Sequence, residues 1–201
     1  LVCERLLLVG GGKEKDFNEN RYRDAVMAAI KCVQNTGASD AALTLTEIEI
    51  RGRDTNWKLS QAVQAAEAAL YRFDQMKSKK DDKKRALRRV ILPVAKRSDL
   101  GPGEEAVREG AAIAAGVALA KDLGNLPGNL CTPTYLANQA HELQNQYGLT
   151  VTVLERADME KLGMGALLSV ARGSRQPPKL ITLEYRGGQE GEAPVALVGK
   201  G

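Results

Sequence analysis

The side chains that most often carry nucleophilic or metal chemistry are few and widely spaced in this sequence. Cys3, Cys32 and Cys131 form no Cys-x-x-Cys pair, which disfavours both a disulfide scaffold and a structural zinc site. The single histidine, His141, falls on a predicted helix, where it reads as a surface or capping residue. Three unpaired thiols fit a reducing compartment best, so we expect a cytoplasmic protein.

Two glycine-rich turns contain a lysine that could meet a charged ligand. Gly10-Gly11-Gly12-Lys13 fails the phosphate-loop pattern, because Glu14 follows the lysine and Leu7 stands where the first glycine is required. Gly199-Lys200-Gly201 follows a strand-like apolar run. Ligands gather beyond the carboxyl ends of strands in open α/β sheets, so we expect a site to begin at Lys200.

The positive charge of the chain is concentrated in one segment. The sequence has 29 Lys and Arg against 25 Asp and Glu, and residues 77–97 alone hold ten of the basic and two of the acidic residues. A nucleic-acid or membrane-surface patch is one interpretation, and a solvated loop between a helix and a strand is the other. Charge alone favours the loop.

Strands and helices alternate along the first hundred residues, which predicts a small α/β domain with a central sheet. We expect strands at residues 4–9, 41–50 and 89–94, with a bulge near Thr46. Apolar residues at helical spacing predict one helix from Tyr22 to Val33, and a second helix is expected to begin at Ser60.

The second half of the sequence predicts a linking helix and the start of another α/β domain. Gly101-Pro102-Gly103 is the expected boundary, and the helix after it is rich in Ala and Gly up to Leu123. Its apolar run, residues 111–120, is too short to span a bilayer. Thr132 is expected to cap the next helix, with Pro133 in its first turn. Strand-like runs follow at residues 149–154, 166–170, 180–185 and 195–198.

We therefore divide the chain into an amino-terminal α/β domain (1–98), a linking helix (99–123) and the beginning of a second α/β domain (124–201). The first residue is Leu rather than Met, and the last residues directly follow a strand-like run. We expect the chain to be an amino-terminal piece of a longer protein.

Four stretches resemble one known family, the cytosolic leucyl aminopeptidases of the dinuclear-metal type. They are YRFDQMKSKK (71–80), NLPGNLCTPTYLA (125–137), GMGALLSV (163–170) and PVALVGKG (194–201). The thirteen-residue stretch matches the family's N-x-P-x-N-x-x-T-P-x-x-L-A pattern and is the most specific of the four. Arg172 departs from the family, which usually has Gln there, and we expect this to affect packing rather than chemistry.

The resemblance implies a hydrolase that removes amino-terminal residues, preferably leucine, from peptides. It implies two divalent metal ions, Zn²⁺ or Mn²⁺, that activate a bridging water. Lys200 matches the family's lysine metal ligand, a role that requires the neutral amine. The family's carboxylate ligands, second catalytic lysine and bicarbonate-holding arginine lie beyond Gly201. We therefore expect these 201 residues by themselves to be inactive and to bind no metal stably.

The resemblance also implies a homohexamer and leaves two alternative functions open. Some bacterial members of the family bind DNA, and residues 77–97 supply charge for phosphate contacts. That segment contains no aromatic residue, so base stacking has little support there. The third hypothesis is an oligomer-assembly module. No membrane partner is expected.

Overall fold

The computed structural model describes residues 3–79 and 87–200, which form two compact units, Leu1–Asn125 and Leu126–Gly201. The first unit contains α1 (Glu19–Gln34), β1 (Asp40–Ala42), α2 (Thr55–Leu70), β2 (Arg89–Ile91) and α3 (Leu100–Asn125). The second contains α4 (Pro133–Tyr147), β3 (Thr150–Leu154), α5 (Arg156–Lys161), α6 (Gly165–Ala171) and β4 (Leu180–Glu184). This mixture of helices and strands confirms the α/β class. The domain boundaries at 98 and 123 stay predictions.

Helix α1 supplies the centre of the first unit's core. Asn18 caps it by accepting hydrogen bonds from the backbone N–H groups of Asn20 and Arg21, each at 3.1 Å. Tyr22, Val26 and Ile30 recur on one face and are at most 1% exposed. The helix expected at these positions is confirmed, and its apolar face packs against α2.

Helix α2 begins earlier than the sequence predicts. Asp54 is its cap, since its carboxylate accepts the backbone N–H of Trp57 at 2.8 Å. Ser60, the expected cap, lies buried inside the helix, so that expectation was wrong. The guanidinium groups of Arg23 and Arg53 each lie over the Trp57 ring, with their central carbons 5.4 and 5.0 Å from the ring centroid.

Helix α3 approaches α2 through a row of small residues. Gly103, Ala106, Gly110 and Ala114 recur every three or four positions and are buried. A Cβ atom built on Gly110 would lie 2.7 Å from the carbonyl oxygen of Ser60. The absence of a side chain at Gly110 is therefore what allows the two helices to pack at this distance.

The sheet of the first unit is small and parallel. β1 pairs with β2 in the register Asp40↔Arg89 to Ala42↔Ile91, and Arg89 Nε lies 2.7 Å from a carboxylate oxygen of Asp40. The strand expected over residues 41–50 is cut short by a 3-10 turn, Thr44–Glu47. At this turn the buried Thr46 hydroxyl donates to the carbonyl of Pro93 at 3.1 Å. The predicted bulge is thus the point where the chain leaves the sheet.

Three other expectations about local structure were wrong. Residues 4–9 are not a strand: Leu6 and Leu8 are 63% and 83% exposed, and the described residues give this run no hydrogen-bonded neighbour strand. Gly101-Pro102-Gly103 lies in the first turn of α3 rather than before the helix, because proline is tolerated where helix N–H groups lack partners. Residues 166–170 lie in helix α6, since a short apolar run alone does not distinguish helix from strand.

The second unit is built on an antiparallel pair of strands. β3 pairs with β4 in the register Thr150↔Glu184 to Leu154↔Leu180. Helix α4 precedes them and ends at Gly148, whose φ of 68° is the left-handed conformation that glycine adopts without strain. Residues 195–198, expected to be a strand, carry no regular secondary structure. Within the described residues, no helix has both the length and the hydropathy that a membrane span requires.

Alkaline pH is expected to destabilise the first unit through Tyr22. This fully buried phenol donates to the backbone carbonyl of Lys58 at 2.9 Å, and burial raises its pKa well above the usual value of 10.0. Above about pH 10 the unfolded chain loses this proton first. The free energy of unfolding should therefore decrease by up to about 1.4 kcal/mol for each pH unit above that pH.

Urea unfolding followed by Trp57 fluorescence measures this effect, because Trp57 is the chain's single tryptophan. Tyr22→Phe is the control: it loses the hydrogen bond at every pH but should flatten the alkaline decline. Parallel declines in the two proteins would contradict the role of Tyr22.

Candidate functional site

Lys200, the predicted metal ligand, lies in an exposed segment of the second unit that has no regular secondary structure. Its neighbours Val195, Leu197 and Val198 are 88%, 94% and 98% exposed. In the part of the chain that the structure describes, no group of three or more His, Cys, Asp or Glu side chains is placed to hold a metal ion. One amine cannot hold two divalent ions, so the described residues do not by themselves form the expected dinuclear site.

The other candidate reactive residues are scattered. Cys3 and Cys32 are exposed, Cys131 is partly exposed, and all three are free thiols. His141 lies exposed on α4, which confirms the prediction of a helix-surface histidine. Cys3 and Cys32 belong to the first unit, and Cys131 and His141 belong to the second.

The stretch with the most specific family resemblance forms a turn followed by a helix start. The carbonyl of Pro127 accepts hydrogen bonds from the backbone N–H groups of Leu130 and Cys131, at 2.9 and 3.0 Å. Thr132 then caps α4 by accepting the N–H of Tyr135 at 3.2 Å, with Pro133 as the first helical residue. Both roles expected of Thr132 and Pro133 are confirmed.

A polar cluster joins the exit of α2 to the last turn of α3. The Tyr71 hydroxyl donates to a carboxylate oxygen of Asp122 at 2.8 Å and accepts from the Asn125 side-chain amide at 3.1 Å. The Lys121 ammonium lies 4.9 Å from the centroid of the Tyr71 ring. Desolvation, and after it the bond to Asp122, raises the pKa of Tyr71, while the bond from Asn125 opposes this shift.

Described residues of the first unit border two open grooves, among others. The larger, about 450 Å³, is bordered by Arg23 on α1, Gln64 on α2, Val117 and Lys121 on α3, and the Tyr71 ring. The smaller, about 330 Å³, is mostly apolar and is lined by residues including Leu59, Leu92, Leu100 and Val107. Lys200 belongs to the other unit and lines neither groove.

The basic segment, residues 77–97, is only partly within the described structure. Residues 80–86, which carry four of its ten basic side chains, lie outside the described residues. Of the remainder, Arg89 is paired with Asp40. The hydrogen bond from the Ser39 hydroxyl, and after it the bond from Arg89, lowers the pKa of the Asp40 carboxyl. DNA binding through this segment stays a prediction.

Comparison with known proteins assigns both units to one family. The model for the N-terminal domain of the cytosol aminopeptidase family matches residues 1–80, and the model for its catalytic domain matches residues 118–201. The chain belongs to the cytosol aminopeptidase family. The resemblance inferred from the sequence is thereby confirmed at the family level.

Curated members of the cytosol aminopeptidase family match the full length of this chain. A probable cytosol aminopeptidase from Thioalkalivibrio sulfidiphilus is 58% identical over 201 residues, and one from Dechloromonas aromatica is 52% identical over 200. Each match covers 100% of this chain and 40% of the relative. The chain thus spans about two fifths of the length of these relatives.

Solved structures show the same fold. The bottromycin maturation enzyme BotP, in complex with Mn, is 30% identical with a TM-score of 0.72, over 87% of this chain and 35% of BotP. A mutant of tomato leucine aminopeptidase has a TM-score of 0.66 at 24% identity, over 81% of this chain and 32% of the tomato chain, a likeness of fold alone.

The contacts of Tyr71 were missed by sequence reasoning. The stretch 71–80 carries part of the family resemblance, but nothing in it predicts the contacts that Tyr71, its first residue, makes. Asp122 and Asn125 lie 51 and 54 residues further along the chain. No spacing rule connects residues so far apart, so the sequence carried no signal for this cluster.

Proposed function

We propose that these residues belong to a metal-dependent aminopeptidase that removes amino-terminal residues, preferably leucine, from peptides. The observation that carries the proposal is the match of the two domain models of one peptidase family, in order, to residues 1–80 and 118–201. The names of the curated relatives support it. A cytoplasmic location and homohexameric assembly are part of the same proposal.

The metal part of the proposal assigns one donor to this chain. Lys200 would bind one of two divalent ions, Zn²⁺ or Mn²⁺, through its neutral amine, and the other ligands would come from outside the described residues. The Mn-bound BotP structure supports a divalent ion in a related enzyme. When bound, such ions supply an activated water and stabilise charge on the substrate carbonyl oxygen.

Hydrolysis of leucine p-nitroanilide tests two expectations: that the whole protein is an aminopeptidase, and that residues 1–201 alone are inactive. We expect the whole protein to hydrolyse this substrate when Mn²⁺ or Zn²⁺ is added, and to lose this activity when a chelator is added. Residues 1–201 should show no turnover under the same conditions, because a single amine does not hold two ions.

Two outcomes contradict different parts of the proposal. Metal-loaded whole protein without aminopeptidase activity would overturn the function. Chelator-sensitive turnover by residues 1–201 would leave the function standing and overturn the inactivity of this piece.

A further inference from the structure

Helix α3 extends further at its carboxyl end than the residues of its last turn favour. Gly124 lies inside the helix, where glycine costs about 1 kcal/mol relative to alanine. Asp122 places a carboxylate near the negative end of the helix dipole, an unfavourable position. These features predict an end near Leu123, as inferred from the sequence, yet the helix continues to Asn125.

Contacts from outside the helix compensate for this weakness. Asp122 and Asn125 are three positions apart and therefore project from the same side of the last turn. Tyr71, the first residue after α2, bonds to both: its hydroxyl donates to Asp122 and accepts from Asn125. Lys121, from the same turn, covers the face of the Tyr71 ring.

We infer that Tyr71 is a latch that holds the last turn of α3 in helical form. With the latch closed, α3 ends at Asn125, which is also the last residue of the first compact unit. With the latch open, the turn from Lys121 to Asn125 frays. The connection to the second unit then gains about one helical turn of residues.

Through their hydrogen bonds to Tyr71, Asp122 and Asn125 stabilise a helical turn that their own helix propensities do not favour. Asn125 also begins the N-x-P stretch, so its side chain faces Tyr71 while its backbone leads into the Pro127 turn. The latch therefore lets the same residue end one unit and begin the connection to the next.

Hydrogen exchange of individual backbone amides in the 201-residue chain tests the latch. We expect Tyr71→Phe to speed exchange in the turn 121–125 about tenfold, because two hydrogen bonds are lost. Amides in the core of α1 should keep their protection. Tyr147→Phe is the matched control, since this phenol is 65% exposed on α4 and no hydrogen bond of its side chain occurs among the described residues.

A second substitution that restores protection from hydrogen exchange distinguishes loss of the latch from general destabilisation of the chain. A Cβ at position 124 meets no atom within 4 Å, so Gly124→Ala strengthens the turn without a clash. Added to Tyr71→Phe, it should restore most of the lost protection. Asn125→Ala should speed exchange less than Tyr71→Phe, and the two together should be less than additive.

Three results would overturn the latch. They are unchanged exchange in the turn 121–125 of Tyr71→Phe, equal acceleration in α1 and α3, and full additivity of Tyr71→Phe with Asn125→Ala. None of these readouts depends on aminopeptidase activity.

Discussion

Gly110→Ala is expected to destabilise the first unit by about 1–3 kcal/mol, the usual cost of forcing extra volume into a packed interface. The new Cβ would lie 2.7 Å from the carbonyl oxygen and 3.0 Å from the Cα of Ser60. Both atoms belong to the backbone of α2, so no side chain can rotate away. Either helix must move, and the contacts between α2 and α3 loosen along their length.

Two other glycines on α3 are matched controls. A Cβ on Gly116 meets no atom within 4 Å, so Gly116→Ala should stabilise by up to about 1 kcal/mol through helix propensity. A Cβ on Gly103 would lie 3.0 Å from Cδ1 of Leu59, the movable end of a side chain. The stability of Gly103→Ala should therefore lie between those of Gly110→Ala and Gly116→Ala.

Urea unfolding monitored by circular dichroism and by Trp57 fluorescence gives the order of stability. We expect Gly116→Ala to be the most stable variant and Gly110→Ala the least. If Gly110→Ala is as stable as Gly116→Ala, the close approach of α2 and α3 is not what the glycine permits.

Replacement of Lys200 should abolish the proposed activity of the whole protein. We expect both Lys200→Ala and Lys200→Arg to lower kcat by at least about 100-fold, the upper end of the loss seen when a residue that only supports a metal ligand is replaced. A metal ligand must offer a lone pair, which arginine cannot do because its guanidinium stays protonated. Metal content per subunit, measured by atomic emission, should fall in both variants.

The arginine variant distinguishes a metal ligand from a simple cation. Activity retained by Lys200→Arg but lost by Lys200→Ala would mean that Lys200 acts through its charge. Full activity of Lys200→Ala would remove it from the site altogether. Lys31→Ala, at an exposed position on α1, is the control for loss of a lysine charge and should be unchanged.

Local signals predicted the elements whose ends are determined by nearby residues. Thr132 and Pro133 predict the start of α4 because the cap and the proline act within one turn, and Gly148 ends it for the same reason. Likewise, α1 is read from the spacing of Tyr22, Val26 and Ile30. The strand expected through Thr46 failed because a tertiary contact decides there: the Thr46 hydroxyl bonds to a residue 47 positions away.

The candidate site was predictable only in part, for a related reason. Nothing in the local chemistry of a Gly-Lys-Gly turn distinguishes a metal ligand from a solvated cation, so Lys200 was inferred from the family resemblance. The Tyr71 cluster, by contrast, joins residues more than 50 positions apart and has no local pattern. Its members could be found only after the helices were placed.

The parallel pairing of β1 with β2 has a consequence for the order in which the first unit folds. Asp40 and Arg89 are partners although they lie 49 positions apart, so their pairing closes a long loop. The chain entropy lost in closing this loop opposes the pairing until the hydrogen bonds between the strands form. Helices α1 and α2 meet across a much shorter connection. We therefore expect the docking of β2 beside β1, after α1 and α2 have paired, to be the slow step of folding.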